Sequence, residues 1–433
     1  MLEHDLRAET ARLLADLIRI DTTNPPGNET PAAEHLAGYL EESGVEPVLR
    51  GRVPERANLV ARLRGTGDGP SLMLLGHTDV VLADRSEWSV EPFSGLERDG
   101  HIWGRGALDM KGQVAAEAVA FATLAREGWT GAGDLIYCAV ADEEVGDGWG
   151  MPWLTEHHPD LVRADYVVNE GGGERITNGD RVAYRVGIGE KQCSAFAVTT
   201  HGKSGHASTP GASDNALLKM IPVLERIDRM VPPSRDLPEL RAFLASIGAD
   251  GDPQGVMNAA RNSNPLLAAT IEPMLGATVA PTGMTASSKI NVIPGRAQLR
   301  VDCRILPGMT QADVEAAVRA ALAGLEYEFE FLEHDGGTMS PPDTPLFAAI
   351  EEFVPQIEPG ATAAPVICSG FTDSHWMREA FGSVAYGFMP TTMDPRLAGT
   401  LVHSADERIP LDDLDLAVRC FLHLARTMGE AAA

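Results

Sequence analysis

Residues 71–79 read SLMLLGHTD, an apolar run broken by Gly76 and followed at once by His77, Thr78 and Asp79. A run this short and this apolar predicts a strand buried on both faces, with an imidazole and a carboxylate at its carboxyl end. Working outward, helical spacing occupies 111–127 (KGQVAAEAVAFATLARE), and strand-like runs at 134–141 and 165–169 end in acidic residues. On the other side, Leu6, Leu13, Leu14, Leu17 and Ile18 recur at helical spacing until the turn-rich Asn24-Pro25-Pro26-Gly27. A helix near 31–43 and a strand at 58–63 complete the stretch. Alternation of this kind predicts an α/β fold with a mostly parallel sheet covered by helices, its ligands gathered at the carboxyl ends of the strands.

From about 193 the character changes. A strand at 193–202, a helical region near 212–230, Pro-rich and Asn-rich material through 265, strands at 286–292 and 297–305, a helix at 310–324 and a strand at 326–332 give a βαββαβ order. An inserted α+β domain at 193–333 is therefore expected within a discontinuous domain formed by 1–192 and 334–433, with 335–345 as the linker back. At 433 residues, two domains are the default expectation.

The 35 Lys and Arg against 62 Asp and Glu give a formal charge of -27, a field that repels phosphate backbones and anionic membranes. Neither nucleic acid nor a membrane is an expected partner. Five cysteines stand singly with no C-x-x-C pair, the usage of a reduced, cytoplasmic protein, and no apolar run reaches membrane-spanning length.

Five segments carry ligand-type residues: Gly76-His77-Thr78-Asp79, the stretch GRGALDMKG at 104–112 with Asp109, Ala141-Asp142-Glu143-Glu144, Asn169-Glu170-Gly171-Gly172, and VHSADE at 402–407 with His403. Taken alone, each His or Glu reads as a hydrogen-bonded or solvated loop residue; five in order, after suitable strands, read as a metal centre. Imidazole and carboxylate ligands without thiolates suit Zn²⁺, with Co²⁺ or Mn²⁺ as substitutes, and five ligands serve two ions if one carboxylate bridges. His157 and His158 read as surface residues at a helix end. Gly131-Ala132-Gly133 precedes a strand, the wrong order for a dinucleotide fingerprint. G-x-S-x-G and H-E-x-x-H are absent.

In this order the five segments resemble the signature of the M20 metallopeptidase and deacylase family. The resemblance implies a zinc-exopeptidase-like catalytic domain in which His77 and Glu170 hold one ion, Glu144 and His403 the other, and Asp109 bridges. It makes Glu143 the general base and Asp79 the partner of the His77 ring, and it implies a cis peptide after Asp109. GKSGHASTP (202–210) resembles the family segment whose histidine, here His206, steadies the oxyanion, often in the partner subunit, and a homodimer through the inserted lid domain is implied. Asn291 and Arg304 resemble residues that meet a substrate carboxylate, and Gly370, in GFTD (370–373), lines the pocket through its backbone.

The resulting expectation is a two-zinc hydrolase that cleaves an amide bond in a small carboxylate-bearing molecule or short peptide, of N-acyl amino acid deacylase or carboxypeptidase type. Dipeptidase or aminopeptidase activity, and a catalytically inactive binding homologue, are the alternatives.

Overall fold

The structure, a computed structural model, describes residues 5–249, 251–332 and 336–430. The strand opened by the sequence runs Leu72–His77 and is buried at every position. Its side chains alternate between two cores: Leu72 and Leu74 face one, Met73 and Leu75 the other. That two-sided burial is why the run is continuously apolar.

Among the described residues the large sheet has nine strands, in the order Val48–Gly51, Ala57–Leu63, Leu135–Val140, Leu72–His77, Tyr166–Asn169, Val384–Gly387, Arg181–Glu190, Thr362–Cys368, with Arg175–Asn178 paired to Arg181–Glu190. The strands around Leu72–His77 are parallel to it, whereas the pairs at Val48–Gly51, Ala57–Leu63 and Arg181–Glu190 include antiparallel neighbours, so the sheet is mixed with a parallel centre. Helix Lys111–Glu127 packs on the centre, flanked by Leu6–Arg19 and Leu411–Glu430. It comes this close because residue 76 is glycine: a Cβ there would stand 2.8 Å from Val114 Cγ2 and 2.9 Å from Met110 Cε.

The smaller sheet is antiparallel. It joins Gln192–Cys193, Arg296–Ile305, Phe196–His201 and Glu328–Phe331, with Thr278–Thr285 along Arg296–Ile305. Helices Ala216–Asp228 and Gln311–Ala321 supply the rest of the βαββαβ order. The strand expected at 286–292 lies instead at Thr278–Thr285. Pro281 obscures it, sitting on a strand edge where the register shifts between Pro281 and Gly283.

The Pro- and Asn-rich stretch before 265 is helical: Pro238–Ser246, Pro253–Ser263 and Pro265–Leu275. Pro238, Pro253 and Pro265 each occupy a first helical position, and Asp252 and Asn264 cap the helices they precede. These helices lie against the large sheet, with Asn264 Nδ2 donating to Thr177 O (2.6 Å), Asn178 Nδ2 to Ile247 O (3.1 Å) and Thr362 Oγ1 to Ser246 O (3.1 Å).

The chain leaves the large sheet at Glu190 and rejoins it near Met339; the expected boundary at 333/334 lies outside the described residues. Both crossings meet at Arg378. Its guanidinium pairs with Glu190 and donates to Ser340 Oγ (2.9 Å), Ile188 O (3.3 Å) and Ala385 O (2.6 Å), while the Thr338 hydroxyl donates to Glu190. No helix among the described residues is long and apolar enough to cross a membrane.

Candidate metal centre

Three parallel strands deliver His77, the Glu143-Glu144 pair and Glu170 to one end of the large sheet. Asp109 arrives from the loop that opens helix Lys111–Glu127, across a cis Asp109–Met110 peptide, and His403 from a turn where it takes φ 60°. The Asp109 carboxylate lies between the two imidazoles: Oδ1 is 3.2 Å from His77 Nε2 and Oδ2 is 3.0 Å from His403 Nε2. Glu144 Oε2 lies 3.3 Å from His403 Nε2, and Glu170 Oε1 lies 3.8 Å from His77 Nε2. In two sets, His77–Asp109–Glu144 and His77–Glu143–Glu170, the ligand atoms all lie within 4.8 Å of one another.

The charges in this cluster are out of balance. Burial, reinforced by Asp109, pushes the Glu170 carboxyl up to about 8, and burial with Glu170 beside it holds Glu143 well above its ordinary value. Burial favours neutral His77, yet its bonds to Asp109 and Asp79 overcome this and raise it. Bonds to Asp109 and Glu144 lift His403 to about 10. Buried Glu144 Oε1 and Asp373 Oδ2 have no hydrogen-bond partner among the described residues. Crowded carboxylates with an orphaned oxygen, interleaved with imidazoles and lacking thiolates, fit divalent cations of the zinc type.

The model of peptidase family M20/M25/M40 matches residues 73–427. The chain belongs to this family. It is 29% identical to a succinyl-diaminopimelate desuccinylase of Methylobacterium nodulans, covering 97% of this chain and 96% of that one. It is 28% identical to the N-fatty-acyl-amino acid synthase/hydrolase PM20D1 of Xenopus tropicalis, over 81% of this chain and 71% of the relative. The M20 metallo-carboxypeptidase Sso-CP2 of Sulfolobus solfataricus shares the fold, with a TM-score of 0.73 at 18% identity over 98% of this chain and 100% of that one. This chain is therefore an M20 metallohydrolase acting on C–N bonds, with a candidate metal site at His77, Asp109 and the Glu143-Glu144 pair.

In the M20 site, Asp79 has more partners than the His77 ring. His77 Nδ1 is 3.1 Å from the Asp79 carbonyl and 3.4 Å from its carboxylate. The carboxylate accepts the backbone N–H of Glu143 at Oδ1 (3.2 Å), and at Oδ2 those of Glu144 (3.1 Å) and the Asn24 amide (2.9 Å). Glu407, buried, accepts from Leu108 and Asp109 N–H and from Arg105, bracing the Asp109 loop. Asp373 is buried among the site's charges, with His77, Asp79 and Asp142 near enough to influence it, and burial pushes it up to about 7. Glu407 and Asp373 stand inside the segments VHSADE and GFTD, yet nothing in the sequence singles them out as neighbours of the site.

The remaining sequence candidates form local contacts. His206 is exposed on a two-residue ribbon paired to Val292, its Nδ1 2.7 Å from Ser208 Oγ, and Asn291 accepts Ala207 N–H on the same ribbon. Arg304 donates to both Asp302 oxygens (2.9 and 3.2 Å) and to Cys193. Gly370 lies in the loop after Thr362–Cys368, beside the Cys368 thiol.

Proposed function

We propose that this M20 enzyme uses two Zn²⁺ ions, with Co²⁺ or Mn²⁺ as substitutes, to hydrolyse the amide bond of an N-acyl amino acid or a related small carboxylate-bearing substrate. The supporting observation is Asp109, whose two oxygens each face a different imidazole, the disposition a bridging carboxylate needs. Glu170 with His77, and Glu144 with His403, complete the two ligand sets. When bound, the ion pair supplies a Lewis acid and acidifies water. Glu143 takes the proton from the attacking water and returns it to the leaving amine.

His206 steadies the oxyanion. Its Nδ1 is engaged by Ser208, which leaves Nε2 for that contact. Asn291, the Gly370 backbone and Arg304, the last by exchanging Asp302 for the substrate, hold the carboxylate. Both relatives compared by sequence carry names for N-acyl amino acid chemistry, which favours deacylation over peptide cleavage.

The enzyme works as a homodimer joined through the smaller sheet. Helix Ala216–Asp228 buries Met220, Val223 and Ile227 yet leaves Leu218 at 61% and Ile221 at 53% exposure, beside the strand Thr278–Thr285.

A screen of N-succinyl, N-acetyl and N-fatty-acyl amino acids against free dipeptides, with each metal, tests the substrate class; turnover confined to dipeptides would reverse it. Glu143→Ala is expected to abolish turnover while two ions per chain remain by elemental analysis. A fully active variant would refute the role of Glu143.

A further inference from the structure

The turn Asn24-Pro25-Pro26-Gly27 has no part in the ligand set, yet it places a buried side chain directly behind it. Asn24 is 3% exposed. Its Nδ2 carries two hydrogens and meets two carboxylates, Asp79 Oδ2 at 2.9 Å and Asp142 Oδ1 at 3.1 Å. The opposite amide orientation would turn an oxygen on both anions, so the bonding itself fixes which atom is nitrogen.

Those two carboxylates hold the pieces that chemistry requires in register. Asp79 accepts the N–H groups of Glu143 and Glu144, and its carbonyl meets His77 Nδ1. Asp142 directly precedes the pair and takes a positive φ of 73°, a strained conformation for a residue other than glycine. Its carboxylate is clamped from three sides: by Asn24, by Arg56 Nη2 (3.0 Å) and by Trp149 N–H (2.9 Å). Arg56 is itself held on Glu29 through Nε (2.5 Å) and Nη2 (2.8 Å). One buried cation thus faces the carboxylates of Glu29 and Asp142, with Asp79 beyond them. The Asn24 amide is the neutral donor that lets Asp79 and Asp142 approach each other.

We propose that Asn24 is a positioning residue for hydrolysis, its amide joining Asp79 to Asp142 and so fixing Glu143 and Glu144 relative to His77. The proposal rests on the dinuclear hydrolase reading above. It predicts a defect in proton transfer and in metal holding, because the displaced groups are the base and a ligand.

The test compares Asn24→Ala and Asn24→Ser with wild type in the full-length protein. Competition with a zinc chelator is expected to show zinc affinity weakened about tenfold or more, in the range found when a partner of a metal ligand is lost. On whichever substrate the wild type hydrolyses, kcat is expected to fall at least tenfold with KM within about twofold. Serine, which retains one short donor, should lie between alanine and wild type. A purely structural asparagine would lower the melting temperature while the folded fraction kept wild-type zinc affinity and kcat, and that result overturns the proposal. Should Asn24→Ala fail to fold, the serine variant decides by the same two measurements. If the wild type hydrolyses no N-acyl amino acid or dipeptide, the substrate reading fails, and zinc affinity alone decides the part played by Asn24.

Discussion

Glu407 braces the loop of the candidate ligand Asp109 from a distant part of the sequence. Its Oε1 accepts Leu108 N–H at 2.7 Å and Asp109 N–H at 3.1 Å, and its Oε2 accepts Gly106 N–H at 3.1 Å and Arg105 Nη1 at 2.6 Å. Both members of the ion pair are buried. Glu407→Ala would leave the Arg105 charge uncompensated, so a loss of roughly 3–5 kcal/mol of stability is expected. Chemical denaturation measures that loss, and elemental analysis is expected to show metal lost as well; a variant that retained both metal and stability would contradict this account. Four of the five candidate ligands were legible because His77, Glu144 and Glu170 follow strands and Asp109 opens a helix; His403 stands in the turn after helix Pro395–Leu401 and was legible only through its segment VHSADE. Glu407, Asp373 and Asn24 were not, because their partners lie far along the chain or on another element, and nothing local marks a carboxylate that will be buried.

Within helix Lys111–Glu127, Glu117 is fully buried, Gln113 Nε2 donates to its Oε1 at 2.8 Å, and Oε2 has no partner among the described residues. Burial holds its carboxyl well above the ordinary value. A raised folded-state value means that the native protein binds this proton more tightly than the unfolded chain does. Its ionisation therefore costs nothing below about pH 4.5 and destabilises increasingly as pH rises from there toward the folded value. Glu117→Gln should raise the melting temperature at pH 8 and do so less at pH 5. Equal gains at both values would remove the titration from the explanation. The helix itself was readable from spacing alone. The three helices after Pro238 were not, because first-turn prolines and an asparagine cap resemble loop composition until the following turns are counted.

For the whole molecule, alternation in the sequence predicted a helix-covered sheet with an inserted α+β segment, but not that residues 238–275 would return to cover the large sheet. Their contacts depend on tertiary packing and leave no periodic trace of their destination. The proposed dimer puts the half-exposed apolar face of Ala216–Asp228 at its seam. Leu218→Glu combined with Ile221→Glu is expected to give monomers in sedimentation experiments where wild type gives dimers, and an unchanged sedimentation profile would exclude that face.

Arg378 gathers both passages between the sheets onto one guanidinium. The same two passages are also laced directly, Glu190 N–H to Thr338 O (3.1 Å) and Ser340 N–H to Ile188 O (2.8 Å), so neither can slacken without the other. Thermal opening that frees Glu190 also frees Ser340, so hydrogen exchange at the outgoing and returning strands should rise and fall together.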